Sequence, residues 1–461
     1  MLQRIKKVSL ILFIGVLAGL ATTSPLQAQE VLSDSEIHYF LNIVRTSSRA
    51  AQEKALKTIE KNWKPEFEIM ALEVMYFGYS TDVGLKMALL LQKKTGQNFG
   101  LDFNKWYEYV WNKEQKILPD YDYFKSQLHK SLDPKFEQYF QGRQENSLIR
   151  LDEIRWGGVQ QDGIPPLRNP TMIPANRANY LEDDHIVFGI EVNGDARAYP
   201  KRILAWHEMF VDEVGGIPVT GVYCTLCGTV ILYKSDVNGT VHQMGTSGFL
   251  YRSNKLMYDQ ATQSLWSTLE GKPVVGPLVG KGIQMDYLSV VTTTWGEWKK
   301  RHPETQVLSL QTGYQRDYGE GVAYQAYFAD DNLMFNVPTV DGKLKNKQSI
   351  LAIRLPDYPE QPLAISVKYL KKNPVYQSTI GESRFVVFTD KTGANRVYDA
   401  THLNFKKYDQ YTKATDIRGE TWTVYEDRIE NASGEIRPRI HTFNAFWFGW
   451  QAAYPDTKLV K

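Results

Sequence analysis

Apolar residues in the first third of the chain recur at helical spacing. In "SDSEIHYFLNIVR", Ile37, Phe40, Leu41 and Val44 share one face, behind Ser33 and Asp34 as cap candidates. "AQEKALKTIEKNW", "FEIMALEVMYFGY", "VGLKMALLLQKKTG" and "DFNKWYEYVW" carry the same pattern, divided by Pro65, a turn at Ser80 to Asp82 and the run from Gly96 to Gly100. The spacing predicts an all-helical domain over residues 31–145, built as stacked, HEAT-like hairpins. Met70, Met75 and Met87 fall among apolar neighbours and are expected in its core.

From Leu148 the period shortens. "WGGVQQDGIPPLRNPTMIPA" is rich in glycine and proline, and short strands follow, such as "HIVFGIEVNGDARAYP" with its hairpin signal at Asn193 and Gly194. This part also resembles itself. "TTTWGEWKKRHPETQVL" at 292–308 aligns with "NAFWFGWQAAYPDTKLV" at 444–460, placing Trp295, Trp298, Pro303 and Thr305 on Trp447, Trp450, Pro455 and Thr457. The expected fold class is α+β: the helical domain, then a tandem duplicated β-rich domain at 150–312 and 345–461, the second copy shortened.

The duplication supplies an internal comparison. Where the first copy has "LAWHEMF", with His207 and Glu208, the second has "YLKKNPV"; where the first has Cys224 and Cys227, the second has "FVVFTDK". A copy that keeps the fold without these groups indicates that packing does not require them. The recurrent tryptophans are expected in the core, and His302, whose counterpart is Tyr454, at an aromatic packing position.

Composition permits large cores, with 43% hydrophobic and 13% aromatic residues. Arg4, Lys6 and Lys7 precede the apolar run from Val8 to Ala21, and Ala28 suits a cleavage site, so residues 1–28 read as a secretory signal peptide. Its removal takes three positive charges and changes the formal net charge from +2 to about −1. No basic surface for nucleic acid is implied, nor any transmembrane segment once the leader is gone. The expected location is extracytoplasmic, periplasmic or secreted, and the partner an unidentified small molecule or protein.

Both cysteines of the chain lie in "GVYCTLCGTVILY". The flanks read as two strands, so the C-x-x-C occupies a turn where Gly228 supplies a left-handed backbone, as in a metal knuckle, and no helix starts after Cys227. Three readings stay open. In the first, Cys224, Cys227 and His207 hold copper or zinc in a possible oxidoreductase, with Glu208 completing the site or fixing the imidazole and Met257 as a soft axial candidate. In the second, the cysteines form a thiol–disulfide couple, His207 lowering a thiol pKa and Glu208 relaying protons. In the third, the protein is a non-catalytic binding or assembly module. A purely structural disulfide would close too short a loop to stabilise the chain much.

The motifs "LAWHEMF", "GVYCTLCGTVILY" and "KLMYDQATQSLW" resemble the domain-of-unknown-function family 3179, with Thr225 where that family usually has proline. The resemblance covers residues 150–461 and implies a shared site around His207, Cys224, Cys227, Tyr258 and Asp259, without naming a reaction. Tyr258, Asp259 and Glu208 are the catalytic candidates. Asp259 is expected either to bond the Thr262 hydroxyl or to position His207. Ser247 in "GTSGF" is read as a turn residue, since Phe249 breaks the G-x-S-x-G pattern.

Overall fold

A computed structural model describes residues 36–78, 81–113 and 120–461. The signal-peptide reading and the Ser33 and Asp34 caps lie outside the described residues. Helices Glu36–Arg45, Arg49–Lys61, Phe67–Phe77, Asp82–Thr95 and Phe103–Trp111 match the five periodic stretches, and Tyr121–Lys130 adds a sixth. Local chemistry sets their ends. The Ser48 hydroxyl accepts the Ala51 N–H, the Asp102 carboxylate accepts that of Lys105, and Gly96 closes Asp82–Thr95 at φ +75°. Met70, Met75 and Met87 are fully buried in the helical core.

That core continues into the β-rich part. Phe249, Leu256, Tyr258, Leu265, Val274 and Val275 pack in the same cluster as the helices. At this seam His129 lies among the rings of Phe77, Phe140 and Phe249, and the buried Lys125 ammonium meets Glu73 at 2.5 Å.

Three five-stranded sheets follow. One runs Val291–Thr294, Ile186–Val192, Asp195–Pro200, Gln306–Leu308 and Met172–Pro174. Its first three strands pair antiparallel, and Gln306–Leu308 lies parallel to Asp195–Pro200. Asn193 and Gly194 turn the central hairpin with φ of +50° and +83°.

Phe443–Phe446, Ser349–Ile353, Leu363–Ser366 and Lys458–Val460 form a second sheet of the same order and the same senses of pairing. Before each last strand comes a seven-residue helix, Trp295–Arg301 or Trp447–Ala453. Its second tryptophan donates Nε1–H to a threonine hydroxyl, Trp298 to Thr305 at 2.9 Å and Trp450 to Thr457 at 2.8 Å. The His302 ring lies tilted 4.0 Å from that of Trp298, as the Tyr454 ring does at 4.4 Å from Trp450. These contacts explain why the second tryptophan and the threonine recur at one offset.

Each such sheet also feeds an antiparallel meander. In the first, the helix Lys201–His207 leads into Met209–Val214, Ile217–Cys224 and Thr229–Lys234; in the second, Val367–Lys372 leads into Val375–Ile380, Ser383–Thr389 and Asn395–Asp399. The third first-half sheet, Met244–Tyr251 with its neighbours, lies between the helices and this meander. Among the described residues no helix is long and apolar enough to cross a membrane.

Candidate functional site

Cys224 ends one strand and pairs with Thr229, the first residue of the next, so Thr225 to Gly228 make the turn. Gly228 has φ +61°, and a Cβ there would come within 2.8 Å of the Phe446 ring. Only glycine satisfies both conditions. Cys224 and Cys227 are joined in a disulfide, 2% and 1% exposed. The second β-rich segment covers this turn: Phe446 donates its N–H to the Cys227 carbonyl at 2.7 Å, and Gly449 lies so close to Cys227 that a Cβ would approach its Cβ to 2.9 Å.

The corresponding turn of the second meander is held differently. Asp390 Oδ1 accepts the backbone N–H groups of Thr392, Gly393 and Ala394, and Oδ2 accepts Arg396 Nη1 at 3.1 Å. One carboxylate organises that loop. The architecture therefore does not demand a covalent staple at this place.

Glu208 stands next to the turn. It caps Lys201–His207 with φ +56°, its N–H bonded to the Leu204 carbonyl and its own carbonyl to Tyr223 N–H, which pins it beside the strand that carries Cys224. Glu208 Oε1 accepts the hydroxyls of Thr225 at 2.5 Å and Tyr324 at 3.1 Å, while Oε2 takes Lys255 Nζ at 2.7 Å. The Glu208 and Lys255 side chains are 8% and 6% exposed. Burial pulls the Lys255 ammonium below its ordinary pKa, with Glu208 opposing the shift. Beside the pair is a cavity of about 60 Å³, lined in part by Thr246, Leu226, Tyr324 and Phe335. Segments from all three motifs meet here.

His207 turns to other partners. It is fully buried, its Nδ1 2.8 Å from the Pro165 carbonyl and its Nε2 2.6 Å from the Tyr318 hydroxyl. Burial depresses its pKa. The Cys224, Cys227 and His207 ligand set expected for copper or zinc is not assembled: the sulfurs bond each other, and both imidazole nitrogens are occupied. Among the described residues no three His, Cys, Asp or Glu side chains group to hold an ion. Met257 is fully buried beside Met209, Met244 and Trp266 in an apolar core.

The remaining candidates form two separate pairs. Asp259 Oδ1 accepts the Thr262 hydroxyl at 3.1 Å, as expected, but Oδ2 meets His242 Nδ1 at 2.7 Å rather than His207. Tyr258 donates its hydroxyl to Asp162 Oδ2 at 2.5 Å, and its pKa is pushed up to about 12, mainly by burial. Ser247 sits within the strand Met244–Tyr251 at a register shift, not in a turn. Its hydroxyl donates to the Leu256 carbonyl and accepts the Phe249 N–H, which is why serine suits the site.

The sequence reading missed Lys255, Asp162 and three tyrosines of the segment between the β-rich halves. Lys255 opens the quoted "KLMYDQATQSLW", two residues before Met257, and lies in the fully buried strand Asn254–Asp259. Tyr318, Tyr324 and Tyr327 reach His207, the Glu208 carboxylate and the Leu226 carbonyl, contacts over about a hundred residues that no local pattern announces.

A family model described as protein of unknown function (DUF3179) matches residues 161–457. No curated protein and no solved structure matches the chain.

Proposed function

The chain belongs to the family of proteins of unknown function DUF3179, and from this premise we propose that it is an exported thiol–disulfide oxidoreductase working through Cys224 and Cys227. The basic and apolar leader supports export. The second β-rich segment is a duplicate that kept the scaffold and lost the site, and the helical part is a HEAT-like stack.

One observation carries the redox reading: Thr225, one of the two residues between the cysteines, is bonded directly to a buried ion pair, Glu208 with Lys255. Reduction of the disulfide requires two electrons and two protons. A partner dithiol supplies both: its thiolate attacks one sulfur, the Cys224–Cys227 bond breaks through a mixed disulfide, and the partner leaves as a disulfide. Glu208 and Lys255 form a buried pair of opposite charges bonded to the turn, so a thiolate formed there has a cationic ammonium nearby.

A copper or zinc ion on the reduced pair is the second reading, favoured by the left-handed Gly228 that shapes the turn as a knuckle. It requires His207 to leave Pro165 and Tyr318. Redox titration of the full mature chain against glutathione, with metal analysis of anaerobically purified protein, separates the two. The proposal expects a metal-free, reversible two-electron couple without unfolding; stoichiometric metal bound by both cysteines, or a pair reducible only in denaturant, defeats it.

A further inference from the structure

The His207 imidazole has no task in the redox reading, yet its surroundings are ordered on every side. A cleft of about 700 Å³ lies between residues 162–171 and 311–314, within the size range of small-molecule sites, about 300–1,000 Å³. His207 is behind its wall, linked to it by hydrogen bonds whose direction can be worked out.

Pro165 O can only accept, so His207 Nδ1 carries the proton toward it. Burial keeps the ring neutral, which leaves a lone pair on Nε2 for the Tyr318 hydroxyl at 2.6 Å. Tyr318 has then spent its one proton, so Thr312 Oγ1, also 2.6 Å away, donates to Tyr318. Thr312 Oγ1 further accepts the Tyr314 N–H at 3.2 Å. Thr312 lines the cleft, and its oxygen keeps one acceptor position at the end of a chain running Thr312 to Tyr318 to His207. Protonating the imidazole reverses the two bonds from Nε2 to Tyr318 and from Tyr318 to Thr312, and frees the Thr312 hydroxyl to donate.

We propose that this cleft binds a small neutral polyhydroxylated molecule, a sugar in chemical class, one of whose hydroxyls donates a hydrogen bond to Thr312 at the end of the hydrogen-bond chain through Tyr318 to His207. The other lining groups fit hydroxyls, which donate and accept. Asp162 accepts Thr246 N–H and Tyr258 O–H and keeps acceptor capacity, since a carboxylate offers about four lone-pair positions. Arg168 is a donor, and the amides of Asn169 and Gln311 serve in either role. Tyr314, 42% exposed, lines the cleft with its ring 5.2 Å from that of His207 and adds aromatic surface for the C–H side of a sugar. A phosphate would face the Asp162 carboxylate, and an amine the Arg168 guanidinium.

The inference is independent of the disulfide chemistry. The test is NMR of the full mature chain with ¹⁵N-labelled histidine, using glucose and maltose as probes. Expected are a neutral His207 protonated at Nδ1 and a saturable shift of its Nε2 signal on adding sugar in the millimolar range. The shift disappears in Thr312→Val and in Tyr318→Phe, weakens as acid protonates His207, and persists in the Cys224→Ser/Cys227→Ser double variant. Absence of any shift with either sugar, a shift surviving Thr312→Val in a folded protein, or a free state protonated at Nε2 overturns it.

Discussion

Lys255 Nζ lies 2.7 Å from Glu208 Oε2, and the other oxygen of that carboxylate is 2.5 Å from the Thr225 hydroxyl, so a buried ion pair is bonded to the interior of the C-x-x-C turn. Opposite charges in such a place are costly to separate. Lys255→Met leaves a carboxylate buried with only hydroxyl donors, and the expected destabilisation is about 3–5 kcal/mol. Glu208→Gln/Lys255→Met removes both charges and should cost clearly less than the sum of the single changes. Urea unfolding of the four proteins measures this; additive losses would count against a coupled pair.

Tyr327, from the connection between the two β-rich parts, packs with Cys224, Leu226 and Cys227 over the disulfide turn. The Tyr327 hydroxyl donates to the Leu226 carbonyl at 2.7 Å, inside the C-x-x-C. Tyr327→Phe removes a bond worth about 1 kcal/mol, so reduction by a small phosphine should speed up by about fivefold if opening limits the rate. Stopped alkylation of the freed thiols gives the rate. Once reduced, the chain should lose only about 2 kcal/mol of stability, because the closed loop is so short.

Gly228 meets two constraints at once. Gly228→Ala places a Cβ at φ +61° and 2.8 Å from the Phe446 ring. Gly239, at φ +81° with open space around it, serves as a control for the backbone cost alone, about 1–2 kcal/mol. Gly228→Ala should exceed Gly239→Ala in thermal destabilisation, and Phe446→Ala should close part of that gap. Equal effects would show that Phe446 yields freely.

His129 is 2% exposed, its Nδ1 2.8 Å from the Lys125 carbonyl, and burial with the Lys125 charge holds its pKa well below the ordinary value. Glu73, Lys125 and the aromatic rings of Phe77, Phe140 and Phe249 surround this seam. The unfolded imidazole titrates near 6.5, so below that pH the unfolded state binds the extra proton. Stability should therefore fall as pH drops, by up to about 1.4 kcal/mol per unit until the folded pKa is reached. His129→Gln should flatten this acid limb in chemical denaturation between neutral pH and the onset of carboxylate protonation.

Much of the site was legible because its determinants are local. β-branched flanks and a following glycine place Cys224 and Cys227 in a strand-to-strand turn, and the structure has that turn with Gly228 left-handed. Asp259 and Thr262, three residues apart, bond as their spacing suggests. His207 was misleading for a physical reason. It is adjacent to Glu208 in sequence, but Glu208 adopts a left-handed backbone at the helix end, and the two side chains enter different hydrogen-bond networks.

Periodicity and turn chemistry determined the helices, the meander strands and the paired tryptophan motifs, since these depend on contacts within a few residues or on a pattern repeated along the chain. Which polar groups meet was decided only by tertiary packing. Lys255 reaches Glu208 from another sheet, Tyr318 and Tyr324 arrive from the connection between the two halves, and Phe446 and Gly449 close over the cysteines from the far end of the chain. Hydrogen bonds and ion pairs act over a few ångströms, so a chain position reveals such a partner only after folding has brought the distant segments together.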